Sequence, residues 1–466
     1  MPHRTEPVLT AAQMRSAEAA LIARGTSVNE LMQRAGHGAA DWVWRMSGGR
    51  AVTVLTGPGN NGGDGWVIAE AIRQRGGAVA VVMAAEPATD AAKTARALYQ
   101  GDIHAADDPP RGEVLVDCLF GTGLTRPLSA EHLALLQKLA VRHDKLVAVD
   151  LPSGIEADLG QPMNKELPAN HLTIALGAWK FAHFLMPAAA SMGALRLVEI
   201  GIEPLAGAAE TIARPRITAP AAEAHKYTRG LLGVVVGAMP GAALLAAQAA
   251  QGAGAGYVRL HAEANFAAPN DLVVIAEPLA EALTDKRIAA LLIGPGLGRD
   301  GAAREALAVA LSEPIPAVLD ADALMLLAPR LLAEHRALLI ATPHEGELAA
   351  LERAFELPGS GTKVQRAAAL AQASAMVVVA KGADSVVAAP DGRIALAHRA
   401  SSWLSTAGTG DVLAGIISSR LATGADPFDA ACDGLWLHAE AARLCDPPFT
   451  AGQLAGAVRS AYAACL

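Results

Sequence analysis

Hydrophobic residues in this chain gather into short unbroken runs rather than alternating with polar ones. Residues 51–57 (AVTVLTG) form one such run, rich in β-branched side chains. It leads into the loop GPGNNGGDG, then a helical pattern (WVIAEAIRQRGG) and a second run (AVAVVMAAE). Strands buried on both faces read in this way, and a strand–loop–helix–strand unit of about 35 residues marks a parallel βαβ crossover. EVLVDCLFG and KLVAVDLPSG repeat the pattern, each ending in Asp before a glycine-containing loop. LTIALGA and ALRLVEIG complete a sheet, and two helical patterns, MRSAEAALIARG and NELMQRAGHGAADWVWRM, precede it.

From about residue 201 to 227 the periodicity breaks into a stretch rich in Pro, Ala and polar residues. This predicts a linker over 211–221 between domains at 1–210 and 222–466. The second half alternates again. LLGVVVG, YVRLHA, DLVVIAE, ALLIGPG, PAVLDAD, ALLIATP, MVVVAKG and SVVAAP read as strands, with helical segments between most of them. The expectation is α/β throughout, as two three-layer α/β/α domains. Residues 230–258 carry no charge, so a membrane helix competes. Pro240, Gln248, Gln251 and several glycines interrupt it, favouring a strand followed by a buried helix.

Composition sharpens this picture. A chain of 466 residues exceeds what one core supports. Aromatics are only 4% and the net charge is -8, which argues against a nucleic-acid partner. Cys118, Cys432, Cys445 and Cys465 lack metal-site spacing and suit a reducing compartment. MPHRTEPVLT lacks a signal peptide's apolar core, so a cytoplasmic protein without a membrane partner is expected.

Ligands of open parallel sheets sit beyond the carboxyl ends of the strands. Three loops there stand out in the first half. Gly57 to Gly65 offers consecutive amides at a helix start, an anion nest with Asn and Asp oxygens added. Gly57, Gly59 and Gly62 also satisfy GxGxxG, and Glu86 ends the next strand, so a dinucleotide oxidoreductase is a rival. Asp117 and Asp150 each precede a glycine loop. They could hold a hard cation, act as acid or base, or simply cap turns. Arg126 reads equally as a phosphate clamp or a solvated charge.

NNGGDG, DCLFGTGLTRP and DLPSG, in this order, resemble the YjeF N-terminal family of NAD(P)HX epimerases over about residues 10–205. The resemblance implies a Rossmann-like fold acting on hydrated nicotinamide dinucleotide, with a bound K+ ion. It implies that Asn60, Asn61, Gly62, Gly63, Asp64, Gly121, Thr122, Gly123, Leu124, Thr125, Arg126, Pro127 and Asp150 line the substrate. Asn61, Asp117 and Ser153 would ligate K+, with Asp117 also the candidate acid/base at C6 of the hydrate.

In the second half Gly408-Thr409-Gly410-Asp411 opens an apolar helix, an anion hole with a carboxylate placed to take a hydroxyl proton. Lys381-Gly382, Gly294 to Gly298 and Thr342 to Glu347 follow other strands. His344 is as readily structural as functional. Asp320 and Asp322 suggest a metal–phosphate region or helix caps, the latter favoured for Asp322. Lys363 would steer phosphate or sit exposed. HKYTRG, GPGLG, DADAL, TPHEGEL, GTKVQRA, KGAD and AGTGDVLAG together resemble the YjeF C-terminal family, NAD(P)HX dehydratases of the ribokinase-like superfamily, from about residue 222 onward. The resemblance implies that Lys381, Gly382, Ala383, Asp384, Ser385 and Gly410 contact an adenine nucleotide. Ala242, Gly298, His344 and Asp411 would contact the hydrate, with Asp411 catalytic. ADP or ATP would be co-substrate, with Mg2+, and a homo-oligomer is expected. Bacterial members use ADP, others ATP.

The chain departs from the family pattern twice. The turn before Pro240-Gly241-Ala242 is short, and Glu345 replaces a second proline in the PHPGE pattern. Two other readings compete: a ribokinase-like small-molecule kinase fused to a nucleotide-binding module, and a non-catalytic sensing role for the first half.

Overall fold

The computed structural model describes residues 4–106, 110–263, 266–333, 335 and 337–466. Residues 6–208 and 209–466 form two compact units.

The first unit is built on seven strands: β1 (Val52–Thr56), β2 (Val79–Met83), β3 (Asp102–His104), β4 (Gly112–Cys118), β5 (His143–Val149), β6 (Leu172–Leu176) and β7 (Ala194–Val198). Their order is β3-β2-β1-β4-β5-β6-β7, and every neighbour is parallel. Both faces are apolar because successive side chains go to opposite sides. Val54 and Val116 join one core with helices α1 (Ala11–Ala23), α2 (Val28–Ser47), α3 (Asn60–Gln74) and α4 (Asp90–Leu98). Leu55 and Leu115 join another with α5 (Ala130–Ala140). Strand order reverses between β1 and β4, and a crevice forms at such a switch point. A short parallel pair, Pro7–Leu9 with Trp179–Lys180, lies within the same unit.

The second unit holds β8 (Ala209–Thr211), β9 (Leu231–Val235), β10 (Tyr257–His261), β11 (Val273–Ile275), β12 (Ile288–Ile293), β13 (Ala317–Leu319), β14 (Leu339–Ala341), β15 (Val377–Ala380), β16 (Val386–Ala388) and β17 (Ile394–Leu396). They run in the order β11-β10-β9-β12-β13-β14-β15-β16-β17-β8. The sheet is parallel up to β15, and β16 pairs antiparallel with both its neighbours. One face packs on α6 (Pro240–Gly252), α10 (Thr409–Ala422), α11 (Pro427–Leu444) and α12 (Ala451–Ala463) in a core of small side chains. Leu291 and Ile293 are fully buried on the other side. There α7 (Gly301–Ser312) meets β12 and α9 (Lys363–Ser374) meets β15, with α8 (Glu345–Ala354) beside α9.

The uncharged stretch is β9, α6 and the start of β10. No helix among the described residues is long and apolar enough to cross a membrane. The segment expected as a linker is packed: β8 pairs in register with Ala395 and Leu396, and Ile212 and Ile217 bury in the second core. Its few apolar residues find a sheet edge that no local periodicity announces.

Candidate active sites

In the first unit β1 ends in Thr56 and α3 begins at Asn60, with N-cap Gly59 and no side-chain cap among the described residues. Glycine is required where backbones touch: a Cβ on Gly62 would stand 1.9 Å from the Gly57 carbonyl oxygen. Asn60 is exposed and its Oδ1 accepts the Thr89 hydroxyl at 2.7 Å. Asn61 differs: its amide oxygen and nitrogen are both buried without a hydrogen-bond partner among the described residues. Across from it a Cβ on Gly121 would meet Asp150 Oδ2 at 2.6 Å and Asn61 Cγ at 3.3 Å, so the β4 loop threads between the two.

Asp150 follows β5 with φ +66°. Its Oδ2 accepts the Thr122 amide (2.8 Å) and hydroxyl (2.5 Å). Its Oδ1 accepts the Lys180 ammonium at 2.5 Å. Lys180 is 1% exposed and also donates to the Leu176 carbonyl. His183 Nε2 lies 2.8 Å from the Asp150 carbonyl and its Nδ1 accepts the Lys180 amide, which assigns the Nε2–H tautomer. Burial, then the lysine charge, holds His183 down at about 4. Burial alone would raise Asp150, but the Lys180 charge and hydrogen bond, with Thr122, pull it below its ordinary value. Asp64, on α3, is buried and its carboxyl makes no side-chain hydrogen bond among the described residues. Burial, then the charges of Asp150 and Glu18, pushes it well above the usual carboxylate range. The two carboxyls of this site are thus shifted in opposite directions, Asp64 up and Asp150 down.

The sequence offers Asp117 both as acid/base and as a K+ ligand. It is buried, with its oxygens accepting the Ser153 amide (3.0 Å), the Ser153 hydroxyl (2.7 Å) and the Leu119 amide (3.1 Å). Burial raises its carboxyl, against the lowering effect of these hydrogen bonds. Ser153 also accepts the Phe120 amide. The donors expected for K+ fit a hard cation in kind: all are oxygens, and the Asn61 amide oxygen lacks any other partner. In the 121–127 loop Thr122 turns inward, whereas Gly123, Thr125, Arg126 and Pro127 are exposed. Glu86 is exposed at 74% and lies 3.9 Å from Arg96. Lys180, His183 and Glu18 escaped the sequence reading. Lys180 follows β6 in LGAWK, so the strand-end rule that found Asp117 and Asp150 would have found it.

In the second unit α10 starts after Gly408, at φ +89°, with no side-chain cap among the described residues. A Cβ there would press to 2.9 Å from Ala451. Asp411, in the first turn, is pushed up to about 6 by burial, then by Asp320, against the lowering effect of Lys381. The Lys381 ammonium lies 2.6 Å from Asp320 Oδ1 and 3.9 Å from Glu347 Oε2. A Cβ on Gly410 would be 3.6 Å from it. Thr342 donates its hydroxyl to the same Asp320 oxygen at 2.7 Å. Burial works against the Lys381 charge, but Asp320 and Glu347 prevail and raise it. Three strand-end loops therefore meet under the α10 amides. Behind them His438, another residue unread from sequence, contacts the Thr409 carbonyl through Nε2 at 2.9 Å.

The remaining candidates resolve individually. His344 is the N-cap of α8: its Nδ1 accepts the Gly346 amide at 2.9 Å while the ring stays exposed. Glu345 pairs with Arg366, which also holds Glu352 at 2.7 Å, so the charge replacing proline is compensated. Asp322 corrects the helix-cap reading: it accepts the Gly298 amide at 3.0 Å and Arg299 at 2.6 Å, tying down the GPGLG loop. Lys363 is neither exposed nor free, since it pairs with Asp384 beneath Gly382. Ser385 Oγ accepts the Gly382 amide at 3.0 Å and closes the 382–385 turn. In the shortened turn Met239 donates its amide to Gly296 at 2.9 Å, which leaves Ala242 half-buried in the first turn of α6.

Two parallel-sheet units, each with an uncapped glycine-rich helix start beside a lysine-clamped aspartate, define a two-domain α/β enzyme of phosphate-bearing substrates. Comparison with known proteins narrows the class. The family model described as YjeF-related protein N-terminus matches residues 28–182, and that described as NAD(P)H-hydrate dehydratase matches 232–460. The bifunctional NAD(P)H-hydrate repair enzyme Nnr of Mycobacterium tuberculosis is 35% identical, over 97% of this chain and 98% of that one. Its Escherichia coli counterpart is 33% identical over 92% and 88%. A crystal structure of the ADP/ATP-dependent NAD(P)H-hydrate dehydratase of Bacillus subtilis, co-crystallized with ATP/Mg2+, is 26% identical. It covers 54% of this chain and 95% of that one, with a TM-score of 0.47. The chain belongs to the family of bifunctional NAD(P)H-hydrate repair enzymes.

Proposed function

We propose that residues 6–208 interconvert the R and S hydrates of NADH and NADPH, and that residues 209–466 dehydrate the S form using ADP or ATP. The observation that carries this is Asp411. It is a carboxyl pushed up to about 6, in the first turn of a helix whose leading amides lack a cap. Such a group takes a proton near neutral pH while the amides hold the phosphoryl group in transit. Asp411 removes the C6 hydroxyl proton and the oxygen attacks the terminal phosphorus of the nucleotide, breaking its bond to the bridging oxygen so that AMP leaves from ADP, or ADP from ATP. Phosphate then leaves C6 with that oxygen, C5 loses a proton, and the dihydronicotinamide double bond returns. Lys381 to Ser385 with Gly410 are assigned to the nucleotide, and Gly298, His344 and Ala242 to the hydrate. Mg2+ bound with the nucleotide would neutralise phosphate charge.

Epimerisation requires loss of the C6 hydroxyl as water and return of water to the opposite face. One group must give a proton and another accept one. Asp64, whose carboxyl is raised by burial, is assigned as the donor, and Asp150, whose carboxyl is lowered by Lys180, as the acceptor. Asn61, Asp117 and Ser153 would hold K+, which would orient the polar parts of the hydrate. A cytoplasmic setting agrees with four free thiols. The test supplies mixed NADHX epimers with ADP and ATP separately and follows dihydronicotinamide absorbance. Complete recovery from both epimers is expected. A stable phosphorylated product would instead support the kinase reading.

A further inference from the structure

One motif of the second unit takes no part in either reaction. HKYTRG (residues 225–230) lies at the starting ends of the strands, opposite the loops that carry the chemistry: Gly230 immediately precedes β9 and Gly254 lies just before β10. Beside it is a cavity of about 410 Å3, within the range of small-molecule sites. We propose that this cavity binds a small phosphorylated metabolite through Arg216, Arg229 and Arg420.

The charges support this. Apart from Glu223, the charged residues lining the cavity are those three arginines. Arg420 is oriented by Asp433 at 3.0 Å and by the Thr423 hydroxyl. Arg229 donates to the Gly254 carbonyl at 3.3 Å. Neither Arg216 nor Arg229 forms an ion pair among the described residues. Arg216 and Arg229 thus bring two positive charges without an ion-pair partner among the described residues to a cavity whose third arginine is paired with Asp433, and an anion complements them. Guanidinium forks suit phosphate oxygens.

The walls are firm. A Cβ on Gly230 would stand 2.4 Å from the Ala422 carbonyl oxygen, and one on Gly254 would stand 2.6 Å from the Tyr462 hydroxyl. Backbone packed so closely holds the cavity open without ligand. The site is distinct from the dehydratase centre. Asp411 and Arg420 both lie on α10, nine residues apart, which is roughly 14 Å along the axis.

The experiment titrates the full chain, saturated with ADP, with inorganic pyrophosphate by calorimetry. One equivalent binds the wild type. The exposed pair Arg216→Ala/Arg229→Ala weakens binding at least tenfold while melting temperature and ADP-dependent turnover stay at wild-type values. Glu223→Gln tightens it about threefold. No heat with the wild type, unchanged binding in the double variant, or no tightening in Glu223→Gln overturns the proposal.

Discussion

Both units clamp a strand-end aspartate with a lysine, yet the two clamps serve different chemistry. Lys180 on Asp150 is 1% exposed and closed off by Thr122 and Leu176. Lys381 on Asp320 is 17% exposed and also faces Glu347 and the start of α10. The first clamp lowers Asp150 while burial raises Asp64, so two carboxyls of one site are shifted apart. The second leaves Asp411 pushed up to about 6, against the lowering effect of Lys381.

The comparison breaks most sharply at Asp411. Asp411→Ala should cut dehydration by about three orders of magnitude and leave the approach of R and S hydrates to equilibrium untouched. Equal loss of both activities would mean the two sites are not separate. Lys180→Met should come next. It strands a buried carboxylate, and breaking such a pair costs about 3–5 kcal/mol. Calorimetry should show the 6–208 unit melting earlier, with dehydration of pure S hydrate unchanged. Asp64→Asn should slow consumption of the R hydrate about a hundredfold, after subtraction of spontaneous epimerisation, without affecting the S hydrate. If Asp117→Asn has that effect in a folded protein and Asp64→Asn does not, the donor has been misassigned.

Much of this was legible in the chain. The apolar runs at 51–57, 113–121 and 145–154 became parallel strands leading into the glycine-rich loops, because a buried strand must be apolar throughout, whereas SVVAAP became the antiparallel β16. Hidden were groups whose role comes from distant chain. Lys180 matters because Asp150, thirty residues earlier, meets its ammonium. His344 read as readily structural as functional, and only the folded chain shows its ring nitrogen capping a helix. β8 pairs with residues far along the chain, so its segment resembled a linker. Sequence pattern reports which strand ends carry chemistry, whereas ion pairs across the sheet decide which acid holds the proton.

The smallest effect is also the most discriminating. Asp411 has a folded value of about 6, above the ordinary 3.8. Folding therefore favours its protonated form. Its penalty on stability is absent below pH 4, grows between 4 and 6, and is complete above 6. Asp411→Asn, which cannot ionise, should melt a few degrees higher than wild type at pH 8 and at about the same temperature at pH 4. Wild-type dehydration, which needs the ionised base, should fall tenfold per unit below pH 6. The two measurements read one proton from opposite sides: stability lost as pH rises is activity gained. A variant equally stabilised at both pH values would show that packing, not charge, sets the cost. Asp411 would then lack the raised affinity for protons that sets it apart from the ionised Asp150.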